Sequence, residues 1–321
     1  AVFSATQDIA LDAWRIESAP PDLQGGMAAA YQLGYRVAIM TGTAGALWIA
    51  SDVSWAAAYS TMAALMLVGI ITTFCITEPK ASLAPSAIAA GPTLSLIRTS
   101  WWVSARNETV NAVWGPIKDF FSRYGLGLGL LLFAFIGSYR LTDYAMGVMT
   151  NPFYLDQGYT LKQVASVVKA FGLVAAIIGV LIGGTIVARY GVVRSLFVGS
   201  GMIMISNLGF ATLASSGVPT IIGLACVNSF DNIALGVHGV SLLAFMSTLT
   251  SSRYTATQYA VLSSLYAMPG KVLMGTSGFV VDALGYPMFF VYTACLSIPA
   301  ILLLLWLTKK APAVISPVKA I

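Results

Sequence analysis

Uninterrupted apolar runs of about twenty residues recur along this chain, and no other feature restricts its fold as strongly. A helix of about 20 residues crosses the hydrocarbon core of a bilayer. Inside lipid every backbone amide and carbonyl must be paired within the protein, so only helices and closed barrels can span it. Barrel strands alternate apolar and polar residues over about ten positions, whereas the runs here are continuous. Composition agrees: 58% of the residues are hydrophobic and 9% charged, against about 25% charged in soluble domains. The chain reads as an all-α, polytopic membrane protein.

The totals exclude other classes. Cys75, Cys226 and Cys295 sit in separate apolar runs without paired spacing, and one histidine offers no metal-binding cluster. No metal and no cofactor are expected. The net charge of +5 fits basic residues held on one side of a membrane better than nucleic-acid binding. No phosphate-cradling GxxxxGK[ST] is present, which argues against an ATP-driven pump, and no serine elbow points to an enzyme.

Full spans are predicted at roughly 27–50, 56–77, 127–150, 161–188, 193–214, 218–248, 255–283 and 286–308, eight in all. Residues 1–17 read as the remainder of a ninth, stopped at Pro20 and Pro21. The opening reads as helix interior, so a longer parent is expected. Residues 1–77 then form the rest of a front half and 127–308 a six-helix C-terminal half, with 309–321 as a tail. Between the halves, 78–126 carries Lys80, Arg98, Arg106, Lys118 and Arg123. Within it Val110, Val113, Trp114, Ile117, Phe120, Phe121 and Tyr124 recur at helical steps. That pattern predicts an amphipathic helix lying in the headgroup plane, or one packed beneath the bundle. If this loop is cytoplasmic, parity places Arg15, Arg189, Arg194, Arg253, Lys309, Lys310 and Lys319 on the same side, making twelve basic residues there against Lys162 alone opposite. This is a positive-inside signal.

Ionisable residues inside a span cost about 2.5–3.5 kcal/mol each on insertion scales, so they are candidates for a cavity. Asp8 and Asp12 share a helix face with Arg15; the carboxylates read either as a proton relay or as a structural pair of Asp12 with Arg15. Arg36 could meet an anionic substrate group or pair with Asp8 or Asp12. Arg140 and Asp143, three apart, could neutralise each other, or Asp143 could face Lys271 or Arg36 and break that pair on protonation. Asn228, Asp231 and His238 form a polar stripe, either cavity-facing or packed between helices. Lys271 follows Pro269-Gly270, read as an interruption of the helix. Lys169 could snorkel to the interface. Gln7, Tyr139, Tyr144, Asn151, Asn232 and Gln258 could supply hydrogen bonds to sugar hydroxyls, and Trp14 or Trp48 a stacking face. Asp8, Asp12, Asp143 and Asp231 are the candidates for proton coupling.

GGTIVARYGVVRSL at 183–196 resembles the loop signature of the major facilitator superfamily, with Gly183, Gly184, Arg189, Gly191 and Arg194 as its glycine and basic positions. GFVVDALGYPMFF at 278–290 is a weaker echo. ATQDIALDAWRIE at 5–17, GYRVAIMTGTAGALWIA at 34–50, WGPIKDFFSRYG at 114–125, YRLTDYAMGVMTNPFYLDQGYT at 139–160 and TQYAVLSSLYAMPGKVLMGTSGFVVDALGY at 257–286 resemble AmpG-type muropeptide permeases, in order along the chain. That resemblance implies a twelve-helix parent in the bacterial cytoplasmic membrane. It also implies a monomer that imports anhydromuramyl-peptide saccharides for cell-wall recycling, driven by the proton gradient without a cofactor. Another solute, such as a sugar, peptide or acyl-CoA-like anion, is the alternative within transport. A non-transporting receptor or scaffold is the alternative outside it.

Overall fold

The computed structural model describes residues 2–76, 101–164, 167–168, 171–251 and 253–311. Lys169, residues 78–100 of the central segment including Lys80 and Arg98, and the end of the tail with Lys319 lie outside these residues. Helices account for nearly all of the described chain: α1 (Val2–Glu17), α2 (Gln24–Met40), α3 (Ala46–Asp52), α4 (Trp55–Cys75), α5 (Trp101–Tyr139), α6 (Leu141–Asp156), α7 (Leu161–Val164), α8 (Gly172–Tyr190), α9 (Val192–Ser215), α10 (Ile221–Leu249), α11 (Thr255–Cys295) and α12 (Ser297–Lys310). No strand occurs among them. Six stretches of the described residues have the length and hydropathy to cross a membrane, among them Trp114–Asp156 and Thr255–Lys310, each of which contains a break.

The chain punctuates itself by local chemistry. α4 starts at Ser54, whose side chain accepts a hydrogen bond from the Ala57 amide, satisfying one of the free amides at a helix start. Gly125, Gly191 and Gly285 share one backbone conformation, with φ of 72°, 83° and 73° and ψ of 162°, 164° and 166°. Residues with a Cβ rarely adopt it. Gly191 separates α8 from α9, while Gly125 and Gly285 divide α5 and α11. The predicted limits near 127 and 286 therefore fall at glycine breaks. Pro269-Gly270, in contrast, does not interrupt α11: the helix runs through both residues. Gly270 is needed there for space, because a Cβ would collide with the Tyr144 ring.

α10 is buried for most of its length, packed against α8, α9 and α2, while α4 is exposed over nearly all of its surface. Two apolar cores lie at opposite ends of the C-terminal half. One gathers Leu132, Phe135, Leu196, Phe245 and Leu304; the other gathers Phe153, Tyr154, Phe210, Phe289 and Phe290. Between them, in chain position, runs a polar layer: Thr142, Asp143, Asn207, Asn228, Asp231, Thr293 and Ser297, all buried or nearly so. Thr142 Oγ1 lies 3.2 Å from the Thr293 carbonyl and 3.1 Å from Ser297 Oγ.

Helix α5 packs beneath the bundle through the end that precedes Gly125. Phe120 is 2% exposed and belongs to the first core. Arg123, which the helical pattern sets off the apolar face, donates to Gln258 Oε1 at 2.8 Å and to the Leu249 carbonyl at 3.2 Å. The described side chains of this helix thus match the second of the two readings, a helix packed against the bundle.

Candidate functional site

A cavity of about 480 Å³ opens between the front helices and the C-terminal half. α1 contributes Asp12; α2 contributes Tyr31, Gln32, Tyr35 and Arg36; the α5–α6 junction contributes Arg140, Asp143 and Tyr144; α10 and α11 close it with Gly239, Tyr259, Ser263 and Tyr266 among others. Residues four apart on α2 and seven apart on α11 lie on one helix face, so Tyr31 with Tyr35 and Tyr259 with Tyr266 line up naturally. Five tyrosines thus surround two guanidinium groups.

The charges resolve into pairs with one exception. Arg140 sits at the break before α6 and its Nε donates to Asp143 Oδ2 at 3.0 Å. Asp143 falls in the first turn of α6, where the helix dipole favours an anion. The Arg140 guanidinium also lies over the Tyr144 and Tyr266 rings, 5.8 and 5.5 Å from their centroids. Asp12 is 3.5 Å from Arg15. Arg15 is buried, bonded to Ser247 Oγ at 3.2 Å and held between the Tyr31 and Tyr259 rings at 5.5 and 5.3 Å. Arg36 makes no ion pair among the described residues, although it shares the cavity with Asp12, Arg140 and Asp143. The cavity therefore presents one uncompensated cation.

Several candidates lie elsewhere. Gln7 and Asp8 are exposed on α1 and do not line the cavity. Asp12 pairs with Arg15, as the structural alternative for that helix requires. Lys271 is exposed on α11 and forms no ion pair with Asp143 or Asp231. Its depth along the helix suits a cavity residue, but its rotation about the axis does not. Tyr139 is 1% exposed; its hydroxyl donates to the Leu196 carbonyl and its ring stacks on His238 at 3.9 Å. His238 Nε2 lies 3.1 Å from the Tyr139 carbonyl oxygen and 3.9 Å from Asp143 Oδ2.

The α10 stripe faces protein rather than the main cavity. Asn228 Oδ1 accepts from Tyr154, Asn232 donates to the Asn228 carbonyl at 2.9 Å, and both carboxamides lie against Gly172. Asp231 Oδ1 accepts from Ser206 at 2.6 Å. Asn151 and Trp48 are exposed and Trp14 is half-buried, and none of them lines the cavity. Gln258 is buried in the junction with α5, donating to the Pro116 carbonyl at 3.0 Å and to Asp119 Oδ2 at 2.9 Å. The residues not singled out from the sequence are Tyr31, Gln32, Tyr35, Tyr259, Ser263 and Tyr266. Their helical spacing was the available signal.

The glycines of the 183–196 segment are packing positions. A Cβ on Gly184 would lie 2.8 Å from Ala29 Cβ of α2, and one on Gly183 would lie 2.9 Å from Val237 Cα of α10. Gly25 of α2 is similarly closed by Val187. Arg189 and Arg194 are exposed on either side of Gly191.

The sequence profile of the Major Facilitator Superfamily matches residues 1–273. The chain is 29% identical over 310 residues to a putative transporter AmpG 4 of Rickettsia conorii, covering 96% of this chain and 70% of that protein. It is 32% identical over 308 residues to the anhydromuropeptide permease of Escherichia coli K12, covering 95% of this chain and 58% of the permease. It thus spans little more than half the length of that relative. Among solved structures, the proton:xylose symporter XylE bound to 6-bromo-6-deoxy-D-glucose superposes with a TM-score of 0.62 at 14% identity, over 94% of this chain and 67% of the symporter; this is a likeness of fold. With its apolar helices and its paired charges around a cavity, the chain belongs to the Major Facilitator Superfamily, as an integral membrane transporter of AmpG type rather than an enzyme.

Proposed function

We propose that this chain is part of a proton-coupled permease that carries muropeptides into the cytoplasm for cell-wall recycling. The observation that carries this reading is the unpaired Arg36 guanidinium inside a tyrosine-lined cavity. A planar guanidinium matches a carboxylate with two parallel hydrogen bonds, and a peptide stem supplies carboxylates. Tyrosine rings offer apolar faces to sugar rings and hydroxyls to their oxygens. A volume of about 480 Å³ falls within the range of small-molecule sites, about 300–1,000 Å³. The similarity to the Escherichia coli anhydromuropeptide permease supports the substrate class.

In this reading the proton gradient is the energy source and no cofactor takes part. Protonation of a cavity carboxylate shifts the carrier between its open states, by stabilising one more than the other. Asp143, which lines the cavity, is suited to receive the incoming proton, because that proton would compete directly with Arg140. In this reading the central loop and the C-terminus face the cytoplasm, an orientation supported by the twelve-to-one bias of basic residues that it produces. The carrier works as a monomer.

The test is uptake of labelled anhydromuramyl-peptide by vesicles containing the full-length carrier, with and without an inward pH gradient. Accumulation that collapses with the gradient supports the proposal. Equal uptake without it refutes proton coupling, and no uptake in either condition refutes the substrate.

A further inference from the structure

The polar layer between the two apolar cores contains a second pocket, of about 40 Å³, between α6, α9 and α10. Three of its wall residues have unusual surroundings. Asn207 is 0% exposed, yet neither its Oδ1 nor its Nδ2 has a hydrogen-bond partner in the protein. Buried carboxamides are almost always paired, because leaving them unpaired is unfavourable. Asp143 gives Oδ2 to Arg140, while its Oδ1 is buried without a protein partner. Asp231 accepts one hydrogen bond, from Ser206, and forms no ion pair among the described residues. Asp143 and Leu235 belong to the walls of both this pocket and the main cavity. Asp143 therefore stands as a door between them.

We propose that this pocket is an interior water site joining Asp143 to Asp231 through Asn207, and that Asp231 holds the transported proton there. The inference rests on the proton-coupled reading above and names where the proton resides. About 40 Å³ of space holds about three or four water molecules, at roughly 10–15 Å³ each. A carboxamide presents a donor and an acceptor, which suits water; its NH₂ group would repel a bare cation. A water that accepts from Asn207 Nδ2 and donates to both carboxylates partners three groups at once, and a second water can donate to Asn207 Oδ1.

The transfer balances as follows. A proton from cavity water binds Asp143 Oδ1, and an O–H bond of the resulting acid breaks as the adjacent pocket water accepts it. Each water gains one proton and gives up another, and the last donates to the free carboxylate oxygen of Asp231. Asp143 is again an anion paired with Arg140, Asp231 is a neutral acid, and the cavity has lost one proton. Release runs the same path backwards when the cavity faces the other side. The charged and titratable groups facing these carboxyls are Arg140, Tyr144 and Tyr154 from α6 and its start, Arg36 from α2, His238 from α10 and Tyr139 from α5. Each contributes to the pH at which the site fills.

Infrared difference spectroscopy on the full-length carrier in lipid, without substrate, tests the site independently of what is transported. The expected result is a carboxylic-acid carbonyl band that titrates with pH, disappears in Asp231→Asn and shifts in Asn207→Leu. Vesicle assays give a second measurement: Asn207→Leu should lower the ratio of gradient-driven accumulation to substrate counterflow by about tenfold or more, whereas Asn207→Ser, which leaves a hydroxyl and room for water, should stay within about threefold of the parent ratio. If Asn207→Leu fails to fold, Asn207→Ser and Asp231→Asn still decide the matter. A band that survives Asp231→Asn overturns the proposal. So does a band that responds to sodium at fixed pH, which would assign the pocket to a cation. A titrating Asp231 band in a carrier whose uptake ignores the gradient would keep the water site and its proton while removing their role in transport.

Discussion

Replacing Arg36 by glutamine separates recognition from stability more cleanly than any other change in the cavity. Arg36 makes no ion pair among the described residues, so its removal strands no protein carboxylate. Arg140→Gln, by comparison, would leave Asp143 without its cation. The loss on Arg36→Gln therefore reports the contact with the ligand. A hydrogen bond to a charged group contributes about 1.5–3 kcal/mol, and each 1.4 kcal/mol is tenfold, so affinity for anhydromuramyl-peptide should fall about 10- to 150-fold. Isothermal titration of the purified full-length carrier measures it, with thermal stability as the folding control. Amidating the ligand carboxylate should cost the parent protein a similar factor and Arg36→Gln almost nothing, since the two changes remove the same interaction. Lys271→Gln, exposed on α11 and outside the cavity lining, serves as the control and should leave binding unchanged. A loss below about threefold in Arg36→Gln, or equal losses on amidation in both proteins, would refute the argument that this guanidinium meets an anion.

Three further outcomes follow from the packing. Arg15→Met leaves Asp12 without its cation and Ser247 without its donor, and should destabilise the carrier by about 2–3 kcal/mol in thermal unfolding; adding Asp12→Asn should recover part of that loss. Gly236→Ala should destabilise by about 1–3 kcal/mol or more, because the new Cβ would lie 2.6 Å from the Gly179 carbonyl carbon, whereas Gly26→Ala on α2 meets nothing within 4 Å and should be neutral or stabilising in the same assay. Gln258→Ala removes the bonds that hold α5 to α11 and to Arg123, and faster amide exchange over residues 114–124, with the rest of the bundle unaffected, is the expected signature.

The bundle was legible in the sequence because lipid imposes length and continuity on every span. The breaks were legible where glycine occupies a conformation closed to other residues, as at Gly125, Gly191 and Gly285. The Arg140–Asp143 pair was one of the two arrangements that the three-residue spacing allowed. What the sequence hid was rotation. In a helix apolar on all sides, the polar minority sets depth well and azimuth poorly, and this is why Lys271 looked like a cavity residue while Tyr259 and Tyr266 did not. Aromatic residues in a span are equally at home against lipid, headgroups or sugar, so Tyr144 alone of the ring was singled out, and the helical spacing of Tyr31 with Tyr35 and of Tyr259 with Tyr266 acquired meaning only once α2 and α11 were seen to line one cavity. Gln258 was misplaced for a different reason: its partners Pro116, Asp119 and Arg123 lie more than a hundred residues away in the chain, and no local pattern encodes such a junction.

The contact between Gly179 and Gly236 brings the main chains of α8 and α10 together with no side chain between them. Such a seam has no rotamers to rearrange, so its spacing is fixed by the two main chains themselves. The opposite flank of α8 is filled almost as tightly, where Gly25 and Ala29 of α2 meet Gly184 and Val187. α8 is thus gripped from two sides at positions where one added methyl group would force a neighbouring helix away.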